Sequence, residues 1–90
     1  MTRIALIGYG YWGPNVAKNI YKNPEWKFDT ICDKKPARLE IAKRLYASSV
    51  NYTECADDVI NNPEIDAVAL AVETSAHYEL AKQALLAGKH

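Results

Sequence analysis

Ninety residues, 49 % hydrophobic and 24 % charged, suffice for one small domain without space for a second, and the mix excludes a disordered or fibrous chain. Eleven basic and eleven acidic residues cancel, so no basic excess marks a nucleic-acid partner; the short group Lys34, Lys35, Arg38 reads as a solvated helix start. No stretch has the length of a membrane span, and glycines interrupt the apolar N-terminus where a signal peptide would run on, so a cytoplasmic protein is expected.

The first element is a strand over Ile4-Ala5-Leu6-Ile7, an apolar run of strand length. It enters Gly8-Tyr9-Gly10-Tyr11-Trp12-Gly13, and a helix follows from about Pro14 to Lys22 with Val16, Ala17, Ile20 and Tyr21 as its apolar stripe. Proline is tolerated at such a start because its missing N–H would lack a partner there anyway. Asn23-Pro24-Glu25 stops the helix, and Lys27 to Cys32 forms a second strand with Asp33 at its carboxyl end. A second helix runs from about Pro36 to Ala47, with Leu39, Ala42, Leu45 and Tyr46 on its core side. A short strand near Val50 to Tyr52 comes next, then a helix from about Ala56 to Asn61 with Thr53 as a plausible cap ahead of it. Ala67 to Val72 is apolar without alternation, as expected of a parallel strand covered on both faces. The last helix, about Ser75 to Ala87, has Tyr78, Ala81, Ala84 and Leu85 at helical spacing, and Gly88 ends it before Lys89-His90 opens another strand.

Alternating strands and helices imply right-handed crossovers and an α/β fold: a Rossmann-like, doubly wound parallel sheet of order 3-2-1-4, truncated before its fifth strand. That order leaves one flank of the fourth strand bare, and a bare apolar edge invites another chain. The 90 residues are therefore read as a fragment that on its own pairs, swaps strands or aggregates, and a homo-oligomer is expected. Cys32 and Cys55 show neither metal-ligand nor disulfide-framework spacing and are expected as buried or half-buried thiols; no metal site is predicted.

The glycine turn and the acid carry the chemistry. Gly8 permits the tight turn, Gly10 leaves room for a pyrophosphate to approach the backbone, and Gly13 lets the helix lie close on the strand. Free N–H groups at the helix start point at the phosphates, and the positive end of the helix dipole adds attraction. Asp33 can accept hydrogen bonds from both adenosine-ribose hydroxyls, which ranks NAD above NADP. NADP stays open, because Lys34, Lys35 and Arg38 could offset the like charge of a 2′-phosphate.

Three stretches carry a family resemblance: Arg3 to Asn15, Pro63-Glu64-Ile65-Asp66-Ala67-Val68, and His77 to His90. Together they resemble the N-terminal, dinucleotide-binding part of the Gfo/Idh/MocA oxidoreductases, without their C-terminal substrate domain. The resemblance implies an NAD(P)-dependent enzyme of small-molecule substrates, and it places the catalytic lysine of the family's Glu-Lys-Pro motif beyond the chain end, so no catalytic residue is assigned. It further implies that the glycines and the amides of Tyr11 and Trp12 hold the pyrophosphate, that Asp33 binds ribose and that Lys34 edges the adenine. The loop Val72-Glu73-Thr74 would pass beneath the cofactor, with His77 starting the next helix near it. Where the family commonly has Thr-Pro, this chain has Val72-Glu73, so the shape and charge of that wall are open. A backbone-bonded His77 and a solvated Glu73 are equally compatible readings.

The expected function is hydride transfer between nicotinamide and a hydroxyl or carbonyl of a sugar, nucleotide sugar or cyclitol. The fragment alone would bind cofactor weakly and not turn over. A non-catalytic nucleotide-sensing module or an S-adenosylmethionine-dependent methyltransferase are the alternatives; three spaced glycines followed by Pro14 favour a diphosphate over a sulfonium ligand.

Overall fold

The computed structural model describes residues 2–72 and 74–89. Strand β1 (Thr2–Ile7) lies between β2 (Trp26–Cys32) and β4 (Ala67–Leu70), with β3 (Asn51–Thr53) outside β2, all parallel in the predicted order 3-2-1-4. Helices α1 (Gly13–Lys22), α2 (Pro36–Tyr46), α3 (Ala56–Ile60) and α4 (Thr74–Leu86) alternate with the strands.

Side-chain alternation along β1 builds the two halves of the core. Ile4 and Leu6 join Ala17 and Ile20 of α1 and Leu39, Ala42 and Tyr46 of α2, whereas Ala5 and Ile7 join Val59 and Ile60 of α3, with Leu80 of α4 packed alongside. Helices thus cover both faces, which is why β1 reads as an unbroken apolar run. In β2 a register shift opposite Ile4/Ala5 skips Asp29. The extra residue reverses the parity of the strand, so Phe28 and Ile31, three apart, enter the same core half. Asp29 is buried and satisfied: Arg3 Nη1 stands 3.2 Å from one carboxylate oxygen and the Thr30 hydroxyl donates to the other at 2.7 Å.

Several expectations need correction. Leu45 is exposed, because α2 buries positions 39, 42 and 46 and Leu45 is turned away from that stripe. Tyr21 is also exposed, though its ring meets that of Tyr46 edge-on with centroids 5.1 Å apart. Of the four core positions expected on α4, Ala84 is buried and Ala81 half-buried, while Tyr78 and Leu85 are exposed. Strand β4 ends at Leu70 and is half-buried throughout, its outer edge carrying no strand among the described residues. Thr53 is not the N-cap of α3; that position is Cys55. Thr53 Oγ1 accepts the Cys55 N–H at 3.1 Å and donates to Asp58 at 2.8 Å, which ties down the helix start from two residues upstream. Cys55 is exposed rather than buried.

Lys89 itself lies in no strand. Its ammonium is buried and donates to the carbonyls of Asn62 and Ile65, 2.6 Å from each, which fastens the end of α4 to the loop before β4. His90 lies outside the described residues.

Candidate functional site

The carboxyl ends of β1, β2 and β4 converge on one cleft rim, where a doubly wound sheet reverses its direction of winding. Three backbone bonds lock the rim: Gly8 N–H donates to Cys32 O at 2.7 Å, Ala71 N–H to Ile7 O at 2.9 Å, and Asp33 N–H to Thr53 O at 3.1 Å.

The three glycines have different neighbours. Gly8 has φ +103°, and a Cβ there would run into the Ala71 carbonyl and stand 2.8 Å from Val72 Cγ1. At Gly13 a Cβ would stand 2.6 Å from Gly8 O. Both are fixed by backbone packing. At Gly10 the only obstacle is the tip of a side chain: Arg38 Nη1 at 2.9 Å and Cζ at 3.1 Å. No described backbone atom is among its nearest neighbours, which is what a ligand-facing position looks like.

After Gly10 the chain turns into α1 with Trp12 as N-cap; Val16 N–H donates to Trp12 O at 3.1 Å, and no cap side chain satisfies the N–H groups ahead of it. Tyr11 and Trp12 place their rings outward, edge to face with centroids 5.0 Å apart, on the rim of the cleft. Tyr9 does the opposite: its ring is in the core and its hydroxyl has no hydrogen-bond partner among the described residues.

Asp33 is 5 % exposed, and each carboxylate oxygen already accepts one backbone amide: Tyr9 N–H on Oδ2 and Lys35 N–H on Oδ1, both at 2.8 Å. The carboxylate therefore ties the turn after β1 to the turn after β2, a role that sequence reading missed. A carboxylate offers about four acceptor positions, so each oxygen retains capacity toward the cleft. Arg38 Nη1 lies 3.5 Å from Oδ2. The basic group read as a solvated helix start thus divides: Lys34 and Lys35 are exposed, whereas Arg38 leans from the first turn of α2 over the cleft. No local pattern marks Arg38; the direction of α2 decides it.

Val72 is half-buried, packs against the core half that contains Ile7 and Cys32, and sets its Cγ1 beside Gly8. Glu73 and the side chain of Thr74 lie outside what the structure describes, and His77 is exposed near the start of α4. Burial, with the Asp33 carboxylate adding to it, pushes the Cys32 thiol up to about 11, so it stays protonated and apolar at neutral pH. No cluster of three or more metal-ligating side chains occurs among the described residues, and no described helix is long and apolar enough to cross a membrane.

Residues 2–90 match the oxidoreductase family with an NAD-binding Rossmann fold. The chain is 26 % identical over 90 residues to an inositol 2-dehydrogenase/D-chiro-inositol 3-dehydrogenase of Lactiplantibacillus plantarum, covering 99 % of itself and 26 % of that protein. The scyllo-inositol dehydrogenase of Lactobacillus casei, solved with NAD(H) and scyllo-inositol, superposes with a TM-score of 0.88 at 31 % identity, covering 100 % of this chain and 26 % of that one. Biliverdin reductase of a Synechocystis species, solved with biliverdin and NADP+, superposes at 0.89 with 26 % identity, over 99 % of this chain and 28 % of that one. The chain spans about a quarter of the length of these relatives.

Proposed function

The chain belongs to the Gfo/Idh/MocA oxidoreductase family, and from that premise we propose that it forms the cofactor end of an enzyme passing hydride between nicotinamide and a hydroxyl or carbonyl carbon of a sugar, nucleotide sugar or cyclitol. The nicotinamide ring, when bound, supplies or accepts the hydride. The chain's own residues bind and orient. Gly10 admits the diphosphate; the amides of Tyr11, Trp12 and Gly13 donate to it at the start of α1; Gly8 shapes the turn that aims them. Asp33 accepts from the adenosine ribose with its remaining lone pairs, Lys34 edges the adenine, and the stretch Val72-Glu73-Thr74 ahead of His77 is assigned to the cofactor on the family resemblance alone.

The observation that supports this reading best is the contrast among the glycines. Gly8 and Gly13 abut backbone, while the nearest described neighbour of Gly10 is the tip of the Arg38 side chain, beside a buried acid.

NAD is the favoured cofactor, because a 2′-phosphate would approach the Asp33 carboxylate. Asp33→Ala is expected to weaken NAD more than NADP by titration calorimetry; equal losses would remove the ribose assignment. By itself the 90-residue chain is expected to bind NAD weakly without hydride transfer. The outer edge of β4, which carries no strand among the described residues, also favours self-association of this chain. Sedimentation is expected to show mass rising with concentration, and a monomer at high micromolar concentration would refute it.

A further inference from the structure

Resting on the dinucleotide reading above, we infer that Arg38 is a built-in occupant of the cleft, which the adenosine-ribose diol must displace to set both hydroxyls on Asp33. The guanidinium lies where a Cβ on Gly10 would be 2.9 Å from Nη1 and 3.4 Å from Nη2, and Nη1 is 3.5 Å from Asp33 Oδ2. One group thus covers both features assigned to the ligand, the glycine opening and the acid. The reason is electrostatic. Asp33 is 5 % exposed, its two amide donors are neutral, and a buried carboxylate is stabilised by a cation. Arg38 is its ion-pair partner among the described residues, while Lys34 and Lys35 remain exposed.

The contact is made to be broken. The Arg38 side chain is 41 % exposed and its pairing distance is long, so water screens the pair and the guanidinium can swing outward while its backbone stays in α2. Tyr9 N–H already holds one position on Oδ2. On that oxygen a guanidinium and a ribose hydroxyl cannot share what remains, so with Arg38 in place only Oδ1 is open and the diol cannot use both oxygens. Entry of the diol exchanges one set of donors to Asp33 for another, and the carboxylate stays hydrogen-bonded throughout.

Adenosine isolates this exchange, because it carries the diol but no phosphate for Arg38 to attract. Binding of adenosine and of NAD to the 90-residue chain would be followed by NMR titration for the wild type, Arg38→Ala and Lys35→Ala. Lys35→Ala removes an equal charge nearby while keeping its backbone N–H on Asp33. Adenosine is expected to bind Arg38→Ala about two- to fivefold more tightly than wild type, the range set by a screened ion pair, with Lys35→Ala unchanged. In the wild type the Arg38 Nε–H resonance is expected to shift as adenosine enters. If the wild type binds NAD but Arg38→Ala binds adenosine equally or less tightly, the occupant role is wrong and the dinucleotide site stands. If Lys35→Ala gains as much as Arg38→Ala, general charge and not occupancy is at work. Failure of wild type and Arg38→Ala alike to bind NAD would overturn both readings.

Discussion

A glycine can be required by the fold or by what the fold holds, and the turn after β1 contains both kinds. A side chain at Gly8 meets the Ala71 carbonyl at a φ of +103°, and one at Gly13 meets Gly8 O at 2.6 Å. Both carbonyls belong to residues whose own N–H groups are bonded in the rim, Gly8 to Cys32 O and Ala71 to Ile7 O. Gly8→Ala and Gly13→Ala are each expected to cost about 2 kcal/mol or more in urea unfolding. Gly10→Ala only displaces the Arg38 tip, so its cost is expected within about 0.5 kcal/mol while NAD binding is lost. Equal destabilisation by all three would show that Gly10 is as structural as the others. The spacing of the glycines was readable in the sequence because a tight turn, a close approach and a packed helix each exclude a side chain. Arg38 was not, because its place above Gly10 depends on how α2 leaves the turn after Asp33.

At the scale of elements, apolar spacing identified the helices but overstated what they bury. Helix α4 carries Tyr78, Leu85 and Leu86 at 73, 70 and 80 % exposure, whereas Leu6 in β1 is fully buried. Leu85→Ser is therefore expected to leave folding free energy within about 0.5 kcal/mol. Leu6→Ala is expected to cost about 2–5 kcal/mol through lost burial and the cavity left behind. Thermal or urea denaturation separates the two, and a large loss at Leu85 would mean that α4 packs differently in solution. Periodicity cannot tell a helix side that meets the sheet from one that only could; Leu45 in α2 was misread for the same reason. The bulge at Asp29 was likewise invisible, since it is defined by the partner strand rather than by β2 itself.

Folding stability belongs to the whole molecule, and its alkaline limb follows from the buried acids. The Cys32 thiol ordinarily ionises near 9.0 and is pushed up to about 11 in the folded chain. Its contribution is fully present below the ordinary value and is lost as pH rises from 9.0 toward about 11, at about 1.4 kcal/mol per unit of separation. Burial raises the hydroxyls of Tyr9, Tyr46 and Tyr52 as well, which steepens the loss above pH 10. The urea midpoint is expected to fall between pH 8.5 and 10.5, and to fall less in Cys32→Ala. An equal fall in both proteins would remove Cys32 from the account.

The sequence by itself determined the strand order, the glycine turn and the acid at the end of β2. Each is written in local spacing: an apolar run, a missing side chain, a charge at a strand end. Only the tertiary structure decided that Asp33 also clasps two turns, that Arg38 covers the cleft, that Lys89 fastens α4 to the loop before β4, and which face of each helix is buried. Those outcomes depend on which residues distant in the chain become neighbours, and a neighbour across the sheet leaves no trace in the spacing of a single strand.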